Sequence, residues 1–168
     1  MTINATNTDL KIFLSLLEIV RREGDLLRKT DARLFKEPLD SAWAERLLTD
    51  EDLAERLDAF VSRFGRMQDT IGDKLVPSLL RLLTEKPGSV LDNLNRAEKL
   101  GFLASVIEWL DVRNLRNKLV HEYVTDPMEF VMALNQSHTG VTLLVATYNG
   151  INLFARLRVS VPEWPDLL

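Results

Sequence analysis

The sequence predicts an all-α protein, an antiparallel bundle of four or five helices forming one domain over residues 1–168. Three observations carry that expectation. Apolar residues recur at steps of three and four almost throughout, the period of a helix with one buried face. Residues that start and stop helices fall mostly between those stripes rather than inside them. No internal repeat, low-complexity tract or long linker divides the chain, and its 168 residues with 46% hydrophobic content suffice for one core.

Taken in order, Leu10, Phe13, Leu17, Val20 and Leu27 make the stripe of a first helix that Gly24 interrupts without ending. Lys36-Glu37-Pro38 is a break, and a short helix follows from Ser41 to Leu48. Thr49 with Asp52 reads as a capping box for the second long helix, Asp standing in for Glu. There Leu53, Leu57, Phe60, Phe64, Met67 and Ile71 form a heptad-like seam, taken as intramolecular core. Pro77 predicts a kink, and Pro87-Gly88 the end of that helix. Ser89 with Asp92 caps a third helix that stops at Gly101. Ser105 with Glu108 is a full capping box for a fourth, running from about Val106 to Val124. Asp126-Pro127-Met128-Glu129 opens a fifth, with Val131, Leu134, His138, Val141, Val145 and Tyr148 on one stripe. A hairpin between Gly140 and Gly150 is the alternative, but the helical spacing crosses Gly140 unbroken. Val161-Pro162-Glu163-Trp164-Pro165 excludes regular helix and reads as a packed arm.

Composition removes several classes of function. With no cysteine there is no disulfide or thiolate metal site, which suits a reducing compartment. The net charge of -4 argues against a surface that is basic all round, so any nucleic-acid contact is local. Met1 to Asp9 carries no basic-then-apolar leader pattern, and Val141 to Tyr148 is far too short to span a bilayer. A soluble, cytoplasmic protein without membrane contact is expected.

One stretch holds chemistry: Val112-Arg113-Asn114-Leu115-Arg116-Asn117-Lys118-Leu119-Val120-His121-Glu122-Tyr123. On a helix, Asn117 and His121 are neighbours four residues apart, and Arg116 and Tyr123 nearly eclipse each other two turns apart. Arg116 and His121 lie about 140° around and about 7.5 Å along the axis from each other, so they are not stacked. A long Arg side chain or a partner chain has to close that gap. Histidine titrates near neutrality and suits proton transfer. Arginine is permanently charged and its planar fork fits phosphate oxygens. RNA brings its own nucleophile, the 2′-OH, so a base and a cation are a minimal set for phosphodiester cleavage without metal. The residue types alone are first of all those of a solvated, charge-laced helix. Arg113, Arg116 and Lys118 cluster there against Asp111 and Glu122.

The pattern Arg116, Asn117, His121, Tyr123 resembles the signature of HepT-type proteins of the HEPN family. The stretch from Asp92 to Gly101, followed by Trp109, is similar to that family too, and the likeness covers roughly residues 60–135. The resemblance implies a HEPN-like helical bundle that dimerises with its motif helices face to face, forming a composite site. It implies an endoribonuclease toxin acting on RNA, including tRNA, and not on DNA, with neither metal nor cofactor. Arg116 and His121 would be catalytic, Asn117 and Arg113 would position substrate, and Tyr123 would accept AMP from an MNT-type nucleotidyltransferase antitoxin. The alternative is a non-catalytic accessory or substrate-binding subunit of a nucleotidyltransferase complex. Elsewhere, His138 reads as a hydrogen-bonded core histidine and Glu98-Lys99 as a solvated helix end. Trp43, Trp109 and Trp164 read as packing anchors, Trp109 sharing the face of Arg116 and lining a cleft or dimer contact.

Overall fold

A computed structural model of the protein describes residues 7–121 and 126–168, without the side chains of Asn7 and His121. Its elements are α1 (Asn7–Leu34), α2 (Ser41–Arg46), α3 (Glu51–Thr70), a π-helical turn (Ile71–Leu75), α4 (Val76–Leu82), α5 (Val90–Leu100), α6 (Val106–His121) and α7 (Pro127–Arg156). Among the described residues there is no strand, and no helix is long and apolar enough to cross a membrane.

Cross-helix contacts fix the directions. Arg63 and Thr70 of α3 donate to Thr30 and Glu23 of α1, so one helix ascends as the other descends. Trp109 of α6 lies over Gly72 and Arg116 over Gly65, an antiparallel register again. His138 of α7 meets Asp31 of α1, while Tyr148 lies in the field of Arg21. Both α1 and α6 pack chiefly against α3 and α7. Four long elements therefore alternate in direction around one core, with α2 and α5 as short connectors.

The apolar seams supply that core. Phe13, Leu17, Val20 and Leu27 of α1 are sealed from water, as are Leu53, Leu57, Phe60, Phe64, Met67 and Ile71 along α3. Full burial is worth about 1.5–3 kcal/mol per such side chain, against about 1 kcal/mol for a cap. The seams therefore place the helices and the caps only trim their ends.

The trimming differs from the sequence reading in five places. The cap of α3 is Asp50, which accepts from Leu53 N at 3.0 Å; Thr49 instead closes the preceding turn on Arg46. The short α2 ends at Arg46 rather than Leu48. Before Pro77 the chain widens into a π turn, Val76 N–H reaching back to Ile71, instead of kinking sharply. A proline ring crowds the carbonyl four residues back, and one wider turn relieves that clash. The helix then stops at Leu82, well short of Pro87-Gly88, because Thr84 turns left-handed at φ 62°. Glu85 N–H bonds Leu80 O and Thr84 N–H bonds Arg81 O, a Schellman closure with Thr in glycine's usual place. Finally, Ser105 makes only half of its box, accepting from Glu108 N at 3.2 Å. The N–H of Val106, the first residue of the helix, goes to Glu98 Oε2 at 2.6 Å, so Glu98 caps the next helix rather than standing in solvent.

Other expectations hold. Ser89 and Asp92 form the reciprocal box, Gly101 is left-handed at φ 89°, and Asp126 caps α7 through Met128 and Glu129. The helix α7 passes through both Gly140 and Gly150, so the hairpin does not form. Gly140 is small because the ring of Phe64 would stand 3.1 Å from any Cβ there. His138 is not in the core: its side chain is 52% exposed, bonds Asp31 Oδ1 at 2.8 Å and stacks on Phe35 at 4.3 Å. The segment after Arg156 is a packed, non-helical arm, in which Leu168 fills the notch at Gly24. Trp43 and Trp109 are buried, and Trp164 lies half-buried under Arg156. Val124, the expected end of the motif helix, lies outside the described residues.

Candidate functional site

Two glycines bring the motif helix close to α3. Gly65 and Gly72 are seven residues apart, two helical turns, and so are Arg116 and Trp109 on the antiparallel partner. Trp109 packs its indole within 3.4 Å of the Cβ position of Gly72, and Arg116 passes its Nε within 3.1 Å of that of Gly65. Trp109 is thus a buried anchor, 2% exposed, and does not line a cleft. Its burial fixes the register that brings Arg116 out over Gly65.

Beyond that crossing α3 and α6 part into an open groove of about 430 Å³. Its walls carry Arg66, Asp69, Asp73 and Lys74 from the α3 side, and Arg116 with Val120 from α6. Arg116 Nη2 donates to Asp69 Oδ2 at 3.0 Å, with the two side chains 34% and 45% exposed. A pair this exposed contributes under about 1 kcal/mol to folding. Its effect is orientation: Asp69 occupies one edge of the fork and leaves other N–H donors facing the groove. Below the groove floor, Thr70 Oγ1 donates to Glu23 Oε1 at 3.0 Å. Burial pushes the Glu23 carboxyl above its usual range, against the pull of Thr70, Arg66 and Lys74.

Of the described residues singled out from sequence as a site, only Arg116 enters this groove. Its partner is Asp69, on another helix, and not Asp111. Arg113 and Asn117 are exposed on the outer flank of α6, about 60° and 100° around from Arg116, and neither lines the groove. Lys118 is likewise exposed. His121 is the last residue of α6, and its side chain is outside the described residues, as are Glu122 and Tyr123 altogether.

Asp69, Arg66 and Lys74 were not singled out from sequence, because they read as the polar side of an amphipathic helix. The matched seven-residue spacings of Gly65/Gly72 and Trp109/Arg116 were the available signal. Compared with known proteins, the chain matches no family model, no curated protein and no solved structure.

Proposed function

We propose that this chain is a metal-independent endoribonuclease of the HEPN type, cleaving RNA with Arg116 and His121. The supporting observation is Arg116 itself, held by Asp69 on the wall of an open groove two turns beyond a buried tryptophan anchor. His121 takes the 2′-OH proton as that oxygen attacks phosphorus. The bond from phosphorus to the 5′-oxygen breaks, and the leaving oxygen receives a proton from an imidazolium. The products are a 2′,3′-cyclic phosphate and a 5′-hydroxyl. Arg116 holds the non-bridging oxygens as their charge grows. The five-residue offset between Arg116 and His121 favours a site shared by two copies, each lending an arginine to the other's histidine. Asn117 and Arg113, on the flank nearer His121, position the strand. Transfer of AMP to Tyr123 by a nucleotidyltransferase partner adds negative charge beside the site and silences it. The protein works in the cytoplasm.

The test is incubation with total RNA and tRNA in EDTA, beside His121→Ala and Arg116→Ala. Cleavage that leaves cyclic phosphates and disappears in both variants is the expected result. No cleavage by protein of unmodified intact mass overturns the assignment in favour of a non-catalytic subunit of a nucleotidyltransferase complex.

A further inference from the structure

The groove does not stop at its own end. Asp73 and Lys74 line it and also line a second depression between α1 and the π turn, which carries Lys11 and Arg81. The two depressions meet at these two shared residues and together make one track. Along it stand five cations, Arg116, Arg66, Lys74, Arg81 and Lys11, against two carboxylates, Asp69 and Asp73. This local excess of positive charge, lessened by the Glu23 carboxylate under the groove, lies on a protein of net charge -4. Asp69 pairs with Arg116. The other four cations are in no ion pair among the described residues. Lys74 belongs to the π turn and stands at the junction of the two depressions.

From this we infer that the track binds the sugar–phosphate backbone of a single strand of RNA running away from Arg116 toward Arg81. Arg66 and Arg81 are fifteen residues apart, about 22 Å at helical rise, long enough for several consecutive phosphates. Among the described residues no aromatic side chain lines either depression, and the contacts these cations offer are to the charged backbone of the strand. The inference rests on RNA being the ligand of the Arg116 site, and it adds a requirement for length: nucleotides on one side of the scissile phosphate contribute affinity.

The experiment uses fluorescence anisotropy with 5′-labelled oligouridylates of four, eight and sixteen nucleotides. The full chain carries His121→Ala so that binding is read without cleavage. Affinity should rise with length from four to eight nucleotides. Lys74→Ala combined with Arg81→Ala should weaken binding about tenfold at low salt. It should also flatten the plot of log affinity against log salt by about 1.4, two contacts at about 0.7 each for a single strand. Lys74→Arg with Arg81→Lys, which keeps both charges, should retain most of the affinity, and Lys36→Ala with Lys99→Ala, off the track, should change it less than twofold. Because all these side chains are exposed, unchanged circular dichroism and melting confirm intact folds. Equal weakening by the off-track pair, or no oligouridylate binding by the parent protein, overturns the inference. So does polyglutamate competing as well as RNA for the same residues, since that identifies an acidic protein as the occupant. Cleavage takes no part in the assay. An inactive protein whose binding follows this pattern refutes the nuclease reading and leaves the track standing, while an active protein indifferent to Lys74 and Arg81 does the reverse.

Discussion

The α1–α7 face and the α3–α6 groove are built from the same kind of amphipathic helix, yet they treat polar side chains in opposite ways. On the α1–α7 face the chain closes over itself. Tyr148 donates to Asp166 O at 2.8 Å, and Asn149 clasps the backbone of Leu168 from both sides. Asn152, wholly buried, donates to Pro165 O and Tyr148 and accepts from Arg156. Glu18 takes both Arg21 and Arg22, and the bond from Arg21 chiefly holds its carboxyl down to about 2. In the groove a single ion pair, Arg116–Asp69, is made among the described residues, and Arg66 and Lys74 are in no ion-pair contact there. Polar groups saturated by the chain hold structure, while groups left unmatched at an open surface are available to something from outside.

That contrast is broken or sharpened most strongly by two truncations. Arg116→Ala should reduce cleavage about a thousandfold, the size of losing one transition-state donor, while lowering Tm by no more than a few degrees. Asn152→Ala should do the opposite. It removes three hydrogen bonds and leaves a cavity, costing about 2–3 kcal/mol, or roughly 5–10 °C in Tm, with cleavage unchanged at temperatures where the fold persists. Single-turnover cleavage and thermal melts on both variants decide the matter. An Arg116→Ala protein as unstable as Asn152→Ala would show the groove pair to be structural after all.

A subtler pair compares two glycines. A methyl at Gly24 would collide with Leu168 Cδ1 and stand 3.0 Å from Met67 Cε, so Gly24→Ala should push the arm's last side chain aside. Limited proteolysis should then cut after Arg158 faster than in the parent. A methyl at Gly65 would stand 3.1 Å from Arg116 Nε. Alanine gains about 0.8–1 kcal/mol of helix propensity there, which offsets the crowding. Gly65→Ala should therefore melt within about 2 °C of the parent yet cleave roughly tenfold more slowly, since only the guanidinium has to move. Unchanged cleavage would mean that Arg116 needs no fixed position.

Much of this fold was legible in the sequence because burial writes a periodic signal. The seam from Leu53 to Ile71 and the stripe from Phe13 to Leu27 are where their spacing put them. Helix ends were less legible because a cap depends on which of several neighbouring side chains reaches a free N–H. Asp50 displaced Thr49, and Glu98 arrived from another helix altogether. His138 was misread because a helical stripe cannot show where a neighbouring helix ends: the position lies at the edge of the core, against Phe35 and Asp31. For the site, the motif drew attention to α6 alone. The opposite wall, with Asp69, Arg66 and Lys74, came from the helix antiparallel to it, and no local pattern marks residues that become functional only through a crossing.

The smallest expected effect concerns Glu23, which lies between the two regions, on α1 but under the groove. Its Oε1 accepts from Thr70, and its Oε2 is buried without a partner. Arg66 and Lys74 favour its ionised form, Asp69 opposes it, and burial outweighs them all, so its carboxyl titrates above the ordinary value. The sign follows from proton counting. Between the ordinary glutamate pKa and the raised one, the folded chain holds a proton that the unfolded chain has lost, so stability falls as pH rises through that interval. Above it the penalty is complete. Glu23→Gln should therefore raise Tm at neutral pH by a few degrees, corresponding to about 1 kcal/mol, and the advantage should vanish as the pH is lowered to about 4. Melts of both proteins across that range check the sign. A Glu23→Gln protein less stable than the parent at pH 7 would mean that Arg66 and Lys74 are neutralised by Glu23, and that the groove is matched by the chain in the way the α1–α7 face is.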